Sequence, residues 1–290
     1  MQNQQKNTLF YILMTLAMLG WGISWVNIKV LGNYINYDEL VFYRYSMTTI
    51  AMLPILYFMK LSFKISLRNL ILSFIASLVL VIYTVFFYLG TKYGTSGVGG
   101  ALVTTTIPII TFILLVIFFK KEIFIKDLFA LGLGAVGVFT ILNIWQLSKE
   151  DIFTLANLFF ILCAFTWAVI TVINTMTKDI HPMIFSFYIY LFAIIISYIF
   201  GDFTSGNILE LNSTFWYNII FISVISTTFS TSVYFIGIQH IGTSATSSFL
   251  FLVPFFAIVS SYIFLDEPIF LTTVLGTILT IVAIYMINKK

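Results

Sequence analysis

The chain has 290 residues, of which 60% are hydrophobic and 9% are charged, and its formal net charge is +3. Soluble domains carry about 25% charged residues, so this composition excludes an ordinary soluble domain, and the solvent of the protein must be lipid. The one cysteine, Cys163, excludes an intramolecular disulfide.

Ten apolar stretches follow one another along the chain, each near the ~20 residues that a membrane-spanning helix needs. They cover residues 8–31, 38–59, 67–90, 96–119, 127–145, 152–176, 182–201, 214–238, 243–264 and 269–287. The first stretch is longer than a signal-peptide core of ~7–15 residues and lacks a small-x-small cleavage pattern, so it is interpreted as a retained helix. We therefore predict an all-α integral membrane protein of ten transmembrane helices, with connections too short for a soluble domain.

The basic residues predict the orientation of these helices. Ten of the fourteen lie at the termini or in even-numbered connections, whereas Lys92 and Lys149 lie in odd-numbered ones. Loops rich in lysine and arginine face the cytoplasm, so both termini are expected on the cytoplasmic side.

The two halves of the chain repeat the same residues in the same order. Trp21 and Trp167 lie 146 residues apart, as do Pro108 and Pro254. The segment "FYLGTKYGTS" (87–96) also aligns with "YFIGIQHIGTS" (234–244). Because five helices per half is an odd number, the second half must enter the membrane from the opposite side. We predict two inverted five-helix repeats, 1–147 and 148–290, which are typical of secondary transporters; a duplicated membrane scaffold is the alternative.

Several of these motifs resemble the EamA-type members of the drug/metabolite transporter superfamily. They are "GWGISWVNIKVL" (20–31), the arginine of "VFYRY" (Arg44), "EIFIKDLFALGLGAVGV" (122–138) and its second copy "DEPIFLTTVLGTILTIVAIY" (266–285). The resemblance implies a ten-helix carrier with a central cavity, often an exporter of amino acids or other small metabolites. The second half departs from the first because it has no residue matching Arg44 or Lys29.

Two stretches rich in glycine and hydroxyl residues occupy equivalent places, "YGTSGVGGALVTTTIP" (93–108) and "GTSATSSFLFLVP" (242–254). Each is predicted to be the turn into a span and the first half of that helix, where small residues allow close packing. Besides packing, Thr104, Thr105 and Ser248 are candidates for lining a substrate cavity. Proline frees a carbonyl about one turn earlier, so Pro108 and Pro254 are predicted hinge or gate positions.

The first span has two faces at ~100° per residue. Trp21, Trp25 and Lys29 form one stripe, while Ser24 lies on another, so Ser24 and Lys29 cannot point the same way. The resemblance favours the stripe of Trp21, Trp25 and Lys29 as the one that faces the cavity.

Lys29 and Arg44 are the charges that lie well inside spans. A charge at the bilayer centre costs about 2.5–3.5 kcal/mol on insertion scales, so such residues are usually paired or functional. One alternative is a structural ion pair with Asp38 or Glu39, or snorkelling to the surface. The other is an electropositive cavity mouth that attracts a carboxylate.

Further candidates come from polar and aromatic residues in spans expected to line the centre. They are Tyr83, Tyr88, Trp167, Asn174 and Tyr234. An aromatic, hydroxyl-rich cavity suits an amphipathic solute such as an amino acid.

Together these features predict a secondary transporter of a small organic solute, an exporter by alternating access in the bacterial cytoplasmic membrane. An importer or exchanger of another polar metabolite or cation, or a channel, is the alternative. No constellation of an enzyme, a metal site or an ATP-binding loop is recognised, and no cofactor or nucleic acid is expected. The oligomeric state stays open, with a monomer as one option. No carboxylate lies deep in a span, which favours facilitated transport or exchange, or coupling through Lys29, a backbone site or a tyrosine.

Overall fold

The computed structural model describes residues 2–94, 96–120, 122, 124–142, 144, 154–177, 179–204, 206–266 and 271–288. Within these residues the chain is mainly helical, and its long helical segments lie where apolar stretches were predicted. They are α1 (Gln2–Leu31), α2 (Tyr37–Phe58), α3 (Leu67–Tyr93), α4 (Ser96–Phe119), α5 (Ile125–Leu142), α6 (Leu155–Thr175), α7 (Pro182–Phe200), α8 (Ser213–His240), α9 (Thr243–Leu265) and α10 (Leu271–Asn288).

Some of the sequence-based statements concern residues outside the described ranges. These are the boundary between the two halves at 147/148 and the residues Thr95, Lys121, Lys149, Glu150, Asp151, Lys178, Glu267, Lys289 and Lys290. The stretch 93–108 is described except for Thr95. It turns at Gly94 and becomes helical at Ser96, so the prediction that it is a helix start is confirmed.

Polar side chains fix where several helices begin. At α2, the Asn36 side chain accepts a hydrogen bond from the Glu39 backbone N–H at 3.0 Å, and the Glu39 carboxylate accepts one from the Asn36 N–H at 3.1 Å. This reciprocal cap satisfies two backbone donors that the first turn leaves free. Ser66 and Asn212 cap α3 and α8 in the simpler one-sided way.

Seven of the described helices are long and apolar enough to cross a membrane, namely α1, α3, α4, α6, α7, α8 and α9. The outer surface of the bundle keeps large apolar side chains exposed, such as Phe58 at 80% and Phe200 at 81%. A contiguous apolar surface of this kind is unfavourable in water and suits contact with lipid, where helices satisfy their own backbone groups.

Helix α8 is α-helical over Ser213–Ile220, π-helical over Phe221–Thr231 and α-helical again over Ser232–His240. In the π-helical part, side-chain hydroxyls donate to carbonyls five residues earlier in the chain. The pairs are Thr227 to Ile222 (2.7 Å), Thr228 to Ser223 (2.9 Å), Ser230 to Ile225 (3.0 Å) and Thr231 to Ser226 (3.4 Å). The wider turn of a π-helix brings these groups together, and π-helical turns frequently occur at functional sites.

Helix α9 changes its winding near its proline. It begins as an α-helix over Thr243–Ser248, tightens to a 3₁₀-helix over Phe249–Leu252 and continues as an α-helix over Val253–Leu265. Pro254 lies in the first turn of that last part, directly after the 3₁₀ turn, and it supplies no N–H to the carbonyls of the preceding turn.

The contacts between helices are symmetric: when each helix is replaced by its equivalent in the other half, the same set of contacts results. Equivalent helices meet as α5 with α10, α2 with α7 and α4 with α9. The remaining large contacts between the halves occur in pairs, and exchanging the halves converts one contact of a pair into the other. The pairs are α3–α6 with α1–α8, α4–α6 with α1–α9, and α3–α7 with α2–α8. This is the pattern expected when two repeats of five helices are related by a two-fold axis.

The α5–α10 contact depends on glycine. A Cβ built on Gly137 would lie 2.9 Å from the Gly276 carbonyl oxygen, and one built on Gly276 would collide with the Gly137 carbonyl oxygen. The two backbones therefore touch at this crossing, the kind of close approach that small residues allow between membrane helices.

Candidate functional site

Seven helices from both halves enclose a small cavity near the centre of the bundle. Its lining residues are Trp21, Ser24, Trp25, Arg44, Tyr83, Phe87, Val103, Thr104, Ile107, Trp167, Ser226, Leu250 and Val253. The free volume is about 30 Å³, far below the ~300–1,000 Å³ of a typical ligand pocket. At this volume the cavity is too small to hold an organic solute.

The aromatic wall of the cavity joins equivalent residues of the two halves. The rings of Trp21 and Trp167 meet edge to face, with centroids 5.2 Å apart and planes at 89°. Tyr83 lies 4.8 Å from Trp167, and Tyr234 lies 5.0 Å from Trp21. These ring contacts link the two halves of the chain, and an accessible ring face attracts a cation.

Arg44 is the charged residue on the cavity wall, and it is 5% exposed. Its Nε donates a hydrogen bond to Thr227 Oγ1 at 2.9 Å, and its guanidinium carbon lies 5.4 Å from the centre of the Tyr45 ring. Within the described residues, Arg44 forms no salt bridge and its buried Nη1 has no hydrogen-bond partner. A buried charge without a counter-ion is costly, and Nη1 is left able to donate to a further acceptor.

The ion-pair alternative for Arg44 receives no support from the two acids near it in sequence. Glu39 forms the reciprocal cap of α2 with Asn36, and Asp38 accepts a hydrogen bond from the Asp202 N–H at 3.1 Å. Both carboxylates therefore have roles at the end of the bundle rather than at the cavity.

Some of the other polar groups on the cavity wall already donate hydrogen bonds within the protein, and others do not. The Ser24 hydroxyl donates to the Trp21 carbonyl at 2.6 Å, and the Thr104 hydroxyl donates to the Gly100 carbonyl at 2.5 Å. Their protons are committed to backbone, so toward a solute they are acceptors. Ser226 Oγ and Trp167 Nε1 are buried with no partner among the described residues, which leaves both able to donate.

Of the twelve residues predicted to bind substrate, six line the cavity. They are Trp21, Trp25, Arg44, Tyr83, Thr104 and Trp167. A seventh, Tyr234, is fully buried behind Trp21, and its hydroxyl pairs with the Thr171 hydroxyl at 3.2 Å. On α1, Ser24 shares the wall with Trp21 and Trp25, so the wall includes residues from both stripes.

Five predicted residues lie away from the cavity wall. Lys29 is half-buried in the last turn of α1, and the Tyr88 hydroxyl donates to the Ile35 carbonyl at 3.2 Å in the α1–α2 connection. The hydroxyls of Thr105 and Ser248 donate to carbonyls of their own helices. Asn174 is fully buried on α6, and both of its amide atoms lack a partner among the described residues.

The two predicted hinge prolines lie in different local structures. Pro108 lies within the unbroken helix α4, where its ring removes the bond to the Thr104 carbonyl. It borders a small space shared with Asp127, Ser244 and Ser247. Pro254, by contrast, follows the 3₁₀ part of α9.

Hydrogen bonds join the two halves at both ends of the bundle. At the end that holds the α1–α2 connection, Asn27 Nδ2 donates to Asn218 Oδ1 at 2.6 Å. Nearby, Asn36 Nδ2 donates to the Asp202 carbonyl at 2.9 Å. At the opposite end, Arg68 approaches Asp179 at 3.9 Å, and Asn69 Nδ2 donates to the same carboxylate at 2.9 Å.

Sequence reasoning missed Ser226 and Thr227, which bring α8 to the cavity. Ser226 lines it and offers its carbonyl to Trp21 Nε1 at 2.9 Å, and Thr227 holds Arg44. The signal was the run of hydroxyl residues in "SVISTTFSTS" (223–232), which is dense for a membrane helix. Among the described residues, no group of three or more His, Cys, Asp or Glu could hold a metal ion.

Comparisons with known proteins agree on the class of protein. The sequence model of the EamA-like transporter family matches the chain twice, over residues 8–143 and 154–289. The chain is 28% identical over 288 residues to the uncharacterized transporter YyaM of Bacillus subtilis strain 168, covering 96% of this chain and 93% of that protein. It is 25% identical over 293 residues to an uncharacterized transporter of Archaeoglobus fulgidus, covering 98% and 99% of the two chains. A solved crystal structure shares the fold with a TM-score of 0.78 at 11% identity, covering 97% of this chain and 96% of that one.

Proposed function

Because the chain belongs to the EamA-like transporter family, we propose that it is a secondary carrier for a small solute with a carboxylate, an amino acid or a related metabolite. We further propose ten membrane crossings in two inverted repeats, 1–147 and 148–290, with both termini in the cytoplasm of a bacterial cell. The direction that the family resemblance favours is export.

The observation that carries this proposal is the state of Arg44. The guanidinium lies on the cavity wall at 5% exposure, with Nη1 unpartnered among the described residues. Arginine binds carboxylates through two parallel N–H donors, and Trp167 Nε1 and Ser226 Oγ are further unused groups nearby on the same wall. A carboxylate placed there would supply the missing negative charge.

The aromatic residues support an amino acid as the solute. No aspartate or glutamate lines the cavity among the described residues. An ammonium group would therefore be received by ring faces such as those of Trp21 and Trp167, through cation–π attraction of about 0.5–2 kcal/mol. The binding energy would then come mainly from the carboxylate at Arg44.

Alternating access is supported by the exchange-symmetric packing of the helices. Repeats that swap conformations give two states, each open at one end, and the hydrogen bonds at the two ends would open in turn. Pro108 and Pro254 stand on the helices that pack between the halves, α4 with α6 and α9 with α1. They are our candidates for the points at which these helices bend.

The test is counterflow in proteoliposomes, with each labelled L-amino acid outside and its unlabelled form inside. A carrier gives saturable, transient accumulation, whereas a channel gives conductance without counterflow. Arg44→Gln should lower kcat/KM at least ~30-fold, because a carboxylate loses its charged partner. Lys92→Gln is the control for loss of a positive charge, since Lys92 is exposed in the last turn of α3 and has no role in the proposed transport.

Two outcomes would contradict the proposal in different ways. Absence of counterflow for every amino acid, with conductance present, would replace the carrier by a channel. Saturable counterflow with the same KM in Arg44→Gln as in the wild type would keep the carrier and remove the carboxylate site.

A further inference from the structure

The Thr227 side chain, which binds Arg44, has its own hydroxyl proton engaged in a hydrogen bond. The Thr227 hydroxyl donates its proton to the Ile222 carbonyl at 2.7 Å, five residues earlier. Its oxygen lone pairs are then left to accept from Arg44 Nε at 2.9 Å. A hydroxyl free to rotate could turn its proton toward the arginine, whereas this one presents only an acceptor.

The π-helical winding of α8 is what places this acceptor. Because the π-helix has more residues per turn, residues beyond Phe221 face other directions than in an α-helix of the same sequence. The same winding turns the Ser226 carbonyl to Trp21 Nε1 at 2.9 Å and the Ser223 carbonyl to the Thr48 hydroxyl at 3.1 Å. The three contacts of α8 with α1 and α2 thus all depend on the π-helical register of Phe221–Thr231.

The first half of the chain has no counterpart of this arrangement. The alignment that pairs Phe87 with Tyr234 puts Leu80 at the position of Thr227, and α3 is an unbroken α-helix there. The residue 146 positions after Arg44 is Tyr190, which carries no charge. The Arg44–Thr227 pair therefore does not follow from the two-fold repeat, because the equivalent positions carry Tyr190 and Leu80.

We propose that Thr227, placed by the π-helical register of Phe221–Thr231, is a positioning residue that orients Arg44 for carboxylate binding. By engaging Nε, it fixes the plane of the guanidinium and leaves Nη1 for the solute. The inference rests on the proposed function only for the identity of the bound group. The geometry of the Arg44–Thr227 pair is testable without any solute.

Thr228 offers a matched control. It is the next residue, is 3% exposed against 2% for Thr227, and also donates to a carbonyl five residues earlier, that of Ser223 at 2.9 Å. Within the described part of the chain, its side chain forms no hydrogen bond with Arg44, so Thr228→Val removes a buried hydroxyl of the same π-helix without touching the arginine.

The first measurement uses protein labelled with ¹⁵N-arginine in detergent micelles. The chain has two arginines, Arg44 and Arg68, so two Nε–H signals are expected, of which the buried one is protected from solvent exchange. Thr227→Val should shift that signal and abolish its protection, while Thr227→Ser and Thr228→Val should preserve it. An unchanged Arg44 signal in Thr227→Val would overturn the inference whether or not a solute is known.

The second measurement is counterflow of the amino acid that the wild type transports best. Thr227→Val should raise KM about ten-fold, the equivalent of ~1.4 kcal/mol, with kcat little changed. Thr227→Ser, which keeps the hydroxyl, should restore KM. Equal KM changes in Thr227→Val and Thr228→Val would reduce Thr227 to a packing residue, while Arg44→Gln would still report on the proposed function separately.

Discussion

Two glycine-to-alanine substitutions, one at the crossing of α5 and α10 and one away from it, are predicted to change the stability of the protein in opposite directions. In Gly276→Ala, the new Cβ would collide with the Gly137 carbonyl oxygen and lie 2.5 Å from Ile141 Cγ1 and 2.7 Å from Ile141 N. Two of these three atoms are backbone, so neither can turn aside and the helices must move apart. In Gly132→Ala on α5, by contrast, nothing lies within 4 Å of the new Cβ.

The magnitudes follow from packing and helix propensity. Replacing glycine by alanine inside a helix is worth up to ~1 kcal/mol, so Gly132→Ala should stabilise the protein by that order. Overpacking a tight contact costs about 1–3 kcal/mol and more when backbone must move. Gly276→Ala should therefore lose about 1–2 kcal/mol net, even after the gain in propensity.

The assay uses the thiol that the chain already carries. Cys163 is the one cysteine and is fully buried, so a maleimide that fluoresces on reaction with thiols reports unfolding without any engineered label. Heating in detergent should give a lower apparent Tm for Gly276→Ala and an equal or higher one for Gly132→Ala. An apparent Tm for Gly276→Ala at or above that of the wild type would refute the packing at this crossing.

Two further predictions concern the hinges and a helix cap. Pro108→Ala and Pro254→Ala restore a backbone donor to α4 and α9 and should change the counterflow rate more than the apparent Tm; unchanged transport in both would remove the hinge role. His181 caps α7 by accepting from the Met183 N–H at Nδ1 (3.3 Å), and burial lowers the pKa of its imidazole. Because the unfolded state then binds the proton more readily, the stability from this cap is present above the ordinary pKa of ~6.5 and is lost as pH falls through the lower folded value. His181→Asn, a cap that does not titrate, should flatten the apparent Tm between pH 7 and pH 5, as measured with the same dye on samples equilibrated at each pH.

The sequence predicted the helices well because their signals are local. Apolar length located each stretch, and caps such as Asn36 and Ser66 stand where the helices begin. The repeat pointed to Trp21 and Trp167, and the cost of a buried charge pointed to Arg44; all three lie on the cavity wall.

The remainder of the site depends on tertiary packing. Lys29 lies one turn beyond Trp25 on the same stripe but beyond the end of the cavity, and the sequence does not reveal how far along a helix a cavity extends. The register of α8 accompanies bonds from α1 and α2 to the carbonyls of Ser226 and Ser223, which are contacts between distant parts of the chain. Hydroxyl density marked that segment as unusual without revealing its winding.

The differences between the two halves of the bundle have a consequence for the proposed carrier: its affinity for the solute should differ between the two sides of the membrane. If the repeats were identical, the inward-facing and outward-facing forms would have equal energy and equal occupancy. The bonds from Arg44 to Thr227 and from Trp21 to Ser226 join the two halves, and within the described residues neither has a counterpart in which the halves are exchanged. Under the proposed alternating access, the empty protein is therefore expected to favour one of the two forms. Each ~1.4 kcal/mol of that preference changes the occupancies ten-fold, and the apparent dissociation constant on the disfavoured side rises by the same factor. Such a preference cannot drive net flux at equilibrium. Under the proposed mechanism, it would give the two faces of the membrane different half-saturation concentrations.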